Sequence, residues 1–414
     1  PFWNIYKQHF NNNITDILNE YYIGDLIEEE IPKVSIEKTD AYKNEPERSD
    51  KLEILKNEPF NAQPLLKDLR KNYITPNEFW YVRNHHPVPN IDANNYKLKI
   101  TTPVFTKEYT LDELKKFNKK TLVNTIQCAG NRRKEFNNHE KVMGLDWNGG
   151  AISTGKFGGV YLRDLLSELF IDISAFDNIN DGYDSTYHLQ LIGCDTPFDA
   201  SIIIDKNINL LKDTILAYEM NDKDLEKDHG YPLRIIVPGY SGAKNIKWLK
   251  EIKISDKESE SSWQKGVAYK SFGPNVKTFE DISEKDKINT PTVEKLPVQS
   301  FICDIKQEKD FVDIKGIAYS GGGNNIIRVD VSIDDGDTWI TAELNEGKEQ
   351  KKYQAYAWTF WTTKIPIKNQ KILNIICKAT DINYNTQPQN IKDIWNLRGI
   401  LNNSWHKVEY KIKT

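Results

Sequence analysis

Apolar positions along the chain fall into four successive patterns. Residues 11–22 place Ile14, Ile17, Leu18, Tyr21 and Tyr22 on one helical face with Gly24 as a stop, so a short helix is predicted there. From Glu28 to about Leu69 no period survives, and Pro32, Pro46, Pro59 and Pro64 punctuate a polar stretch that reads as an extended linker. Tyr73 to Asp256 mixes two periods. Thr110-x-x-Glu113 is a capping box opening a helix, Thr121 to Gln127 alternates as a strand does, and Leu162, Leu165, Leu166 and Leu169 have helical spacing. Arg234 to Val237 and Ile246 to Ile254 read as further strands. Beyond a loose stretch over 285–295, short strands recur between turn signals at Gly321-Gly322-Gly323, Asp335-Gly336 and Asn383 to Pro388, which is the pattern of a β-sandwich.

The expected architecture is an α+β core followed by an all-β sandwich. Its boundaries are a remnant over 1–24, a linker over 25–72, the core over 73–290 and the sandwich over 291–414. A length of 414 residues agrees with two or three domains.

Composition narrows the function. No apolar run approaches the ~20 residues of a membrane span. Lys+Arg 56 against Asp+Glu 60 gives a net charge of -4, and basic clusters such as Lys115 to Lys120 are short, so nucleic acid is not an expected partner. The 4 cysteines lie far apart without a CxxC pair, and the adjacent His85 and His86 cannot face one zinc from a strand. Neither disulfides nor a structural zinc is expected. The chain opens on Pro1 rather than Met, which fits a cut with something upstream.

Arginine is scarce: nine of the 56 basic residues, at 48, 70, 83, 132, 133, 163, 234, 328 and 398. Where generic surface charge is lysine, retained arginines favour positions that need a planar, permanently charged fork. Arg83 lies in Tyr81-Val82-Arg83-Asn84-His85, Arg132 and Arg133 end Cys128-Ala129-Gly130-Asn131-Arg132-Arg133, Arg234 follows Asp228-His229-Gly230, and Arg398 sits in Trp395-Asn396-Leu397-Arg398-Gly399. This clustering points to an oxyanion or phosphate site, with surface ion pairs as the plain alternative. Cys128 ends an apolar strand beside a glycine turn and two arginines, a setting that favours an exposed thiolate as nucleophile or metal ligand over an inert buried thiol. Gly239-Tyr240-Ser241-Gly242 is one residue short of a nucleophile elbow, and Gly239 to Lys244 lacks phosphate-loop spacing. Asp228-His229 reads as a turn histidine satisfied by its neighbour unless other residues converge there.

Taken together, Tyr81 to Pro89 (YVRNHHPVP), Cys128 to Arg133 (CAGNRR), Gly150 to Thr154 (GAIST), Leu216 to Gly230, Arg234 to Leu249, Pro297 to Ser300 and Trp395 to Trp405 (WNLRGILNNSW) resemble the sulfite oxidase family of molybdenum enzymes, over essentially the whole chain. The resemblance implies a molybdopterin-binding core, an immunoglobulin-like dimerisation domain, a homodimer, and molybdenum-dependent oxidation of sulfite to sulfate. It makes Cys128 the molybdenum ligand and assigns Arg83, Arg133, Trp147, Tyr269 and Arg398 to the substrate pocket. Asn84, His85, Asp184, His229, Arg234, Asn245, Ile246 and Lys247 match positions that hold the pterin and its phosphate, and Arg83 serves both sets. Residues 1–24 resemble the tail of the cytochrome b5-type domain of animal-type members, with His9 at the second axial haem ligand. The segment for the other ligand is not in this chain, so haem b is not expected to be retained by it. For a full-length protein the resemblance implies electron transfer through haem to cytochrome c in the mitochondrial intermembrane space, with peroxisome or cytoplasm, and oxygen as acceptor, for a haem-free relative. Two rivals are an assimilatory nitrate reductase core, in which an uncharged residue is expected at the position of Arg398, and a non-catalytic oxyanion-binding protein of the same fold.

Overall fold

A computed structural model describes residues 41–169, 171, 187–195, 198–204, 212–367 and 370–413. The helix expected over 11–22, the haem-domain remnant with His9, and Asp184 lie outside the described residues.

Most of the architecture is strand, and the helices are short. Strands Lys120–Gln127 and Ile152–Tyr161 pair antiparallel, and the second also pairs with Ile215–Met220, onto which Arg234–Ile236 docks. A second sheet runs Thr106–Thr110, Lys97–Thr101, Leu249–Ser255, His188–Gly193, Asp199–Ile203, with a parallel contact between Leu249–Ser255 and Lys97–Thr101. Leu98, Ile100, Leu191, Ile235 and Ile252 fill one core cluster; Leu162, Leu165 and Leu166 of helix Leu162–Glu168 complete it. The capping box forms as expected, with Thr110 Oγ1 accepting from the Glu113 amide and the Glu113 carboxylate accepting from the Thr110 amide. One expected strand starts late: Trp248 adopts a left-handed φ of 51°, so pairing begins at Leu249 and leaves Asn245 to Lys247 as a loop.

The Pro-punctuated stretch expected as a linker carries regular structure from Glu53 onward. Glu53–Lys56 pairs with Asn61–Gln63, which pairs with Val82–Arg83. Leu52, Phe60, Ala62 and Val82 bury a small core beneath this sheet. So few apolar residues over such short strands leave no period to read in sequence.

Residues 299–411 form two facing four-stranded sheets. One contains Gln299–Gln307, Phe311–Tyr319, Thr359–Pro366 and Glu343–Leu344; the other contains Ile340–Thr341, Ile326–Ser332, Ile372–Asp381 and His406–Lys411. Val312, Ile314, Val329, Val331, Trp361, Ile375 and Cys377 fill the space between them. A separate apolar cluster, including Leu69, Ile152, Phe301, Trp358 and Phe360, joins this sandwich to the first domain. Polar bonds fix the register of that junction: Trp358 N donates to Thr125 Oγ1 at 2.8 Å, and the Gln127 and Gln299 amides exchange bonds of 3.1 and 2.8 Å. Among the described residues no helix is long and apolar enough to cross a membrane.

Candidate active site

Strand Lys120–Gln127 ends at the cleft, and Cys128 is the next residue. Its amide donates to Ala151 O at 3.0 Å, and Asn131 N returns to Cys128 O at 3.0 Å, closing a tight turn. The buried Asn131 side chain braces that turn by donating to Gly149 O and accepting from Ala151 N, both at 3.0 Å. Cys128 is a half-buried free thiol on a cleft also lined by Trp80, Tyr81, Arg83, His85, Arg234 and Tyr269.

The two consecutive arginines go to opposite tasks. Arg132, in a left-handed conformation (φ 62°), buries its guanidinium completely, binds Glu135 through Nε and Nη2 at 2.7 and 2.6 Å, and donates to Ser404 O at 2.7 Å. It is a strut between the domains, not an oxyanion ligand. Arg133 opens helix Arg133–His139, donating from Nη1 to Leu145 O at 2.9 Å and from Nε to Arg398 O at 3.2 Å. Its path is cut through glycine. A Cβ on Gly130 would lie inside the Arg133 guanidinium, and one on Gly144 would be 2.8 Å from Arg133 Cζ.

Arg398 reaches the same region from the second domain on the loop 396–402. Leu401 N bonds Ala129 O at 2.8 Å, Met143 N bonds Leu397 O at 3.0 Å, and Arg398 Nε faces Ala268 O at 3.4 Å. Arg83 donates from Nη1 to Asn61 Oδ1 at 3.1 Å and to Asn84 O at 2.6 Å. Burial is the largest force lowering the pKa of Arg133, to about 10; Cys128 opposes it, and Arg83 and Arg398 lower it further. Arg398 is lowered by burial first and also by Arg83. Tyr269 is raised by burial against the pull of Arg83, Arg133 and Arg398, so its hydroxyl keeps its proton. That hydroxyl lies 2.8 Å from His85 Nε2. Burial, then Arg83, push His85 well below its ordinary value, so the ring is neutral and shares this bond with the Tyr269 hydroxyl. Phe198 stacks on His85 with centroids 4.4 Å apart. Three guanidinium groups gathered near one thiol are an arrangement suited to a small, multiply charged anion.

A second cationic group, Arg234 and Lys247, lines the same cleft. Arg234 is buried, donates to His229 O at 2.9 Å and Asn245 O at 3.2 Å, and is lowered by burial to about 10. Lys247 donates to Asn84 Oδ1 and, at 2.8 Å, to Asp228 O, and burial lowers it to about 7. His229 is pushed down by burial to about 3 and is neutral. Asp228 is not its partner: Arg48 binds that carboxylate at 2.8 and 3.0 Å and Asn84 Nδ2 at 2.8 Å, which removes the triad reading. Arg48, within the stretch expected as linker, therefore fixes the floor of the site; its place among nine arginines was the available signal. Ile246 contributes a buried wall. Asn245 also lines the cleft, but its side chain is spent on its own loop, accepting from Val237 N at 2.9 Å and donating to Ser241 O at 2.9 Å. Trp147, expected in the pocket, is completely buried and packs edge-on to Tyr81 at 6.3 Å, so Tyr81 rather than Trp147 faces the cleft.

The donor set fits a phosphate-bearing, thiolate-bound cofactor. Arg234 Nε is buried and finds no hydrogen-bond partner among the described residues, a cost of ~1–3 kcal/mol that an anionic ligand would remove. Arg234, Lys247 and His229 present nitrogen groups to the cleft, and Cys128 presents a soft sulfur to it.

Comparison with known proteins agrees. Residues 85–263 match the oxidoreductase molybdopterin binding domain, and residues 286–413 match the Mo-co oxidoreductase dimerisation domain. "Sulfite oxidase, mitochondrial" of Mus musculus is 40% identical over 100% of this chain and 75% of its own length. Sulfite oxidase of Gallus gallus is 37% identical over 98% of this chain and 88% of its own. The sulfane dehydrogenase SoxCD of Paracoccus pantotrophus shares the fold with a TM-score of 0.69 at 22% identity, covering 94% of this chain and 93% of that one. With both domains matched in order and relatives aligned along its full length, this chain belongs to the sulfite oxidase family of molybdopterin oxidoreductases.

Proposed function

We propose that this protein oxidises sulfite to sulfate with a molybdopterin-bound molybdenum. The carrying observation is the convergence of Arg83, Arg133 and Arg398 on Cys128 and Tyr269, a charge arrangement suited to a small dianion. Support also comes from the mouse and chicken relatives, which are named for sulfite oxidation. Molybdenum, when bound, supplies oxygen-atom transfer and takes up the electron pair. Cys128 holds the metal, and its soft sulfur suits a high-valent centre. Arg234, Lys247 and His229 hold the pterin and its phosphate, with Asn84 and His85 setting the wall and Ile246 packing beside them. Asp184 joins this set on the family resemblance alone. The three arginines orient sulfite by charge-assisted bonds, and the protonated Tyr269 hydroxyl offers a further donor. Trp147 acts behind the wall by supporting Tyr81.

The same reading makes the protein a homodimer through residues 286–413 and places it in mitochondria, in the intermembrane space. In the full-length protein His9 would help hold a haem, which would supply a route for the electrons to cytochrome c. Support for that route is the resemblance of residues 1–24 and the mitochondrial name of the mouse relative. The decisive experiment is molybdenum and pterin analysis of purified protein together with sulfite-dependent ferricyanide reduction. Stoichiometric metal with turnover is expected; folded, molybdenum-loaded protein that does not oxidise sulfite overturns the proposal. A visible spectrum of the intact gene product tests the haem step, and a missing Soret band removes it.

A further inference from the structure

The cleft that gathers Arg234 and Lys247 also carries a carboxylate residue in contact with one of them: Lys247 Nζ donates to the main-chain O of Asp228 at 2.8 Å. A bare carboxylate on this wall would repel an anionic ligand and compete with it for the ammonium. The Asp228 carboxylate is not bare. Arg48 donates to it from Nε at 2.8 Å and from Nη2 at 3.0 Å, one bond to each oxygen. Asn84 Nδ2 donates to the same Oδ1 at 2.8 Å, and Asn84 Oδ1 accepts from Lys247. The hydrogen bonds of Lys247 therefore run to two neutral oxygens. Arg48 stands apart from the cleft lining, with its guanidinium 4.0 Å from the Phe60 ring centroid and bonded also to Glu45, which accepts from Val88 N at 2.8 Å. The Arg48 and Asp228 side chains keep 15% and 8% of their surface exposed, so the pair is largely removed from water and little screened by salt. Burial by itself would raise the Asp228 carboxyl; Arg48 first, and then Lys247, hold it low.

We infer that Arg48 is a positioning residue for cofactor retention: by occupying both oxygens of Asp228 it masks that carboxylate and leaves the Lys247 ammonium to the cofactor phosphate. The inference rests on the assignment of Arg234, Lys247 and His229 to the pterin and its phosphate, and is independent of sulfite as the substrate. Without Arg48, an ionised Asp228 stays on the cleft wall with only Asn84 and Lys247 to answer its charge. Lys247 then turns from the ligand to the carboxylate, and the phosphate meets a repulsive charge in place of an attractive one. An Arg48 that merely tied residues 45–48 to the core would behave differently. Its loss would weaken charged and neutral ligands alike, and removing the Asp228 charge as well would restore nothing.

The test compares the molybdenum-loaded chain with its Arg48→Lys, Arg48→Met and Arg48→Met/Asp228→Asn variants, following release of the pterin by its fluorescence after oxidation. Arg48→Met is expected to release it about ten- to a hundredfold faster than the parent, and Arg48→Lys, which keeps the charge but not the two-pronged bond, about three- to tenfold faster. The double variant should return to within about threefold of the parent, because no charge is left to mask. Inorganic phosphate and a neutral pterin without phosphate, each titrated calorimetrically into the cofactor-free chain, give the second readout: Arg48→Met should weaken phosphate binding and leave the neutral pterin within about twofold. Parental release in both single variants overturns the inference, as does a double variant that loses pterin as fast as Arg48→Met, or an equal deficit for the neutral pterin. If Arg48→Met does not fold, Arg48→Lys carries the comparison, and parental release by it overturns the inference. A parent that holds pterin but does not oxidise sulfite removes the sulfite reading and leaves this test intact. A parent without pterin removes the cofactor assignment; the phosphate titration then decides for Arg48, and a parent that binds no phosphate overturns its role.

Discussion

Arg133 donates from Nε to the main-chain carbonyl of Arg398 at 3.2 Å, so the guanidinium contributed by the first domain also positions the backbone that carries the guanidinium of the second. Gly399, with φ at +56°, makes the approach feasible, since a Cβ there would lie 2.7 Å from Arg133 Cγ. The contact uses only the backbone of Arg398, so altering its side chain gives up the 3.4 Å bond to Ala268 O but keeps this contact.

Arg398→Met should therefore weaken sulfite binding while leaving fold and dimer intact. Loss of one charge-assisted bond to an anion costs ~1.5–3 kcal/mol, or roughly ten- to a hundredfold in affinity. Steady-state kinetics read the first effect, and thermal unfolding with sedimentation reads the second. Unchanged sulfite affinity in a dimeric variant would return Arg398 to a structural role.

Cys128→Ser keeps the turn, which depends on the backbone and on Asn131, yet removes the soft donor. We expect a folded protein with almost no sulfite oxidation. Metal content and turnover of the purified variant check this, and near-parental turnover contradicts the assignment.

Arg132→Met should damage the fold rather than the chemistry. Burial alone would raise the Glu135 carboxyl, but Arg132 overrides it and holds that group low. Breaking the pair should cost about 3 kcal/mol, the lower end for a buried ion pair, because the Glu135 side chain keeps 33% of its surface exposed. Urea unfolding measures the loss; an Arg132 variant of full stability would show that the strut is dispensable.

Tyr269→Phe and His85→Gln probe one hydrogen bond of 2.8 Å from either end. If His85 sets the orientation of the Tyr269 hydroxyl, each substitution lowers kcat/KM, and the double variant is about 1 kcal/mol better than additivity. Cofactor content measured alongside separates this coupling from a loss of pterin. Strict additivity at full loading would show that the two residues act independently.

Acid should destabilise the sandwich through His406. Its Nδ1 accepts from Ile302 N at 3.1 Å, and burial, then Arg132, lower its pKa to about 4. In the unfolded chain the ring takes up its proton near pH 6.5. Between those values the unfolded state binds more protons, so the contribution is full above pH 6.5 and is lost as pH falls toward 4, by about 3 kcal/mol. His406→Asn, which retains an acceptor without titrating, should flatten that slope in urea unfolding between pH 4.5 and 7.5. An unchanged slope would place the acid sensitivity elsewhere.

Much of this protein was readable before any coordinates. The capping box at Thr110 and Glu113, the strand ending at Gln127, the leucine-spaced helix and the all-β second domain are local patterns, each fixed by residues within a few positions of one another. The scarcity of arginine likewise singled out Arg83, Arg133, Arg234 and Arg398, because a guanidinium held in a lysine-rich chain marks a need for its geometry. Sequence could not divide labour between Arg132 and Arg133, since one left-handed residue turns one side chain toward Ser404 and the other toward Arg398. Nor could it show that Arg48 holds Asp228 across 180 residues, that Trp147 stands behind Tyr81, or that Asn245 is spent on its own loop. Those outcomes depend on which groups long-range packing removes from water together, and a buried charge or amide must take whatever partner the fold brings to it. Motif spacing records which residues are present; only the folded chain decides which of them face the cleft.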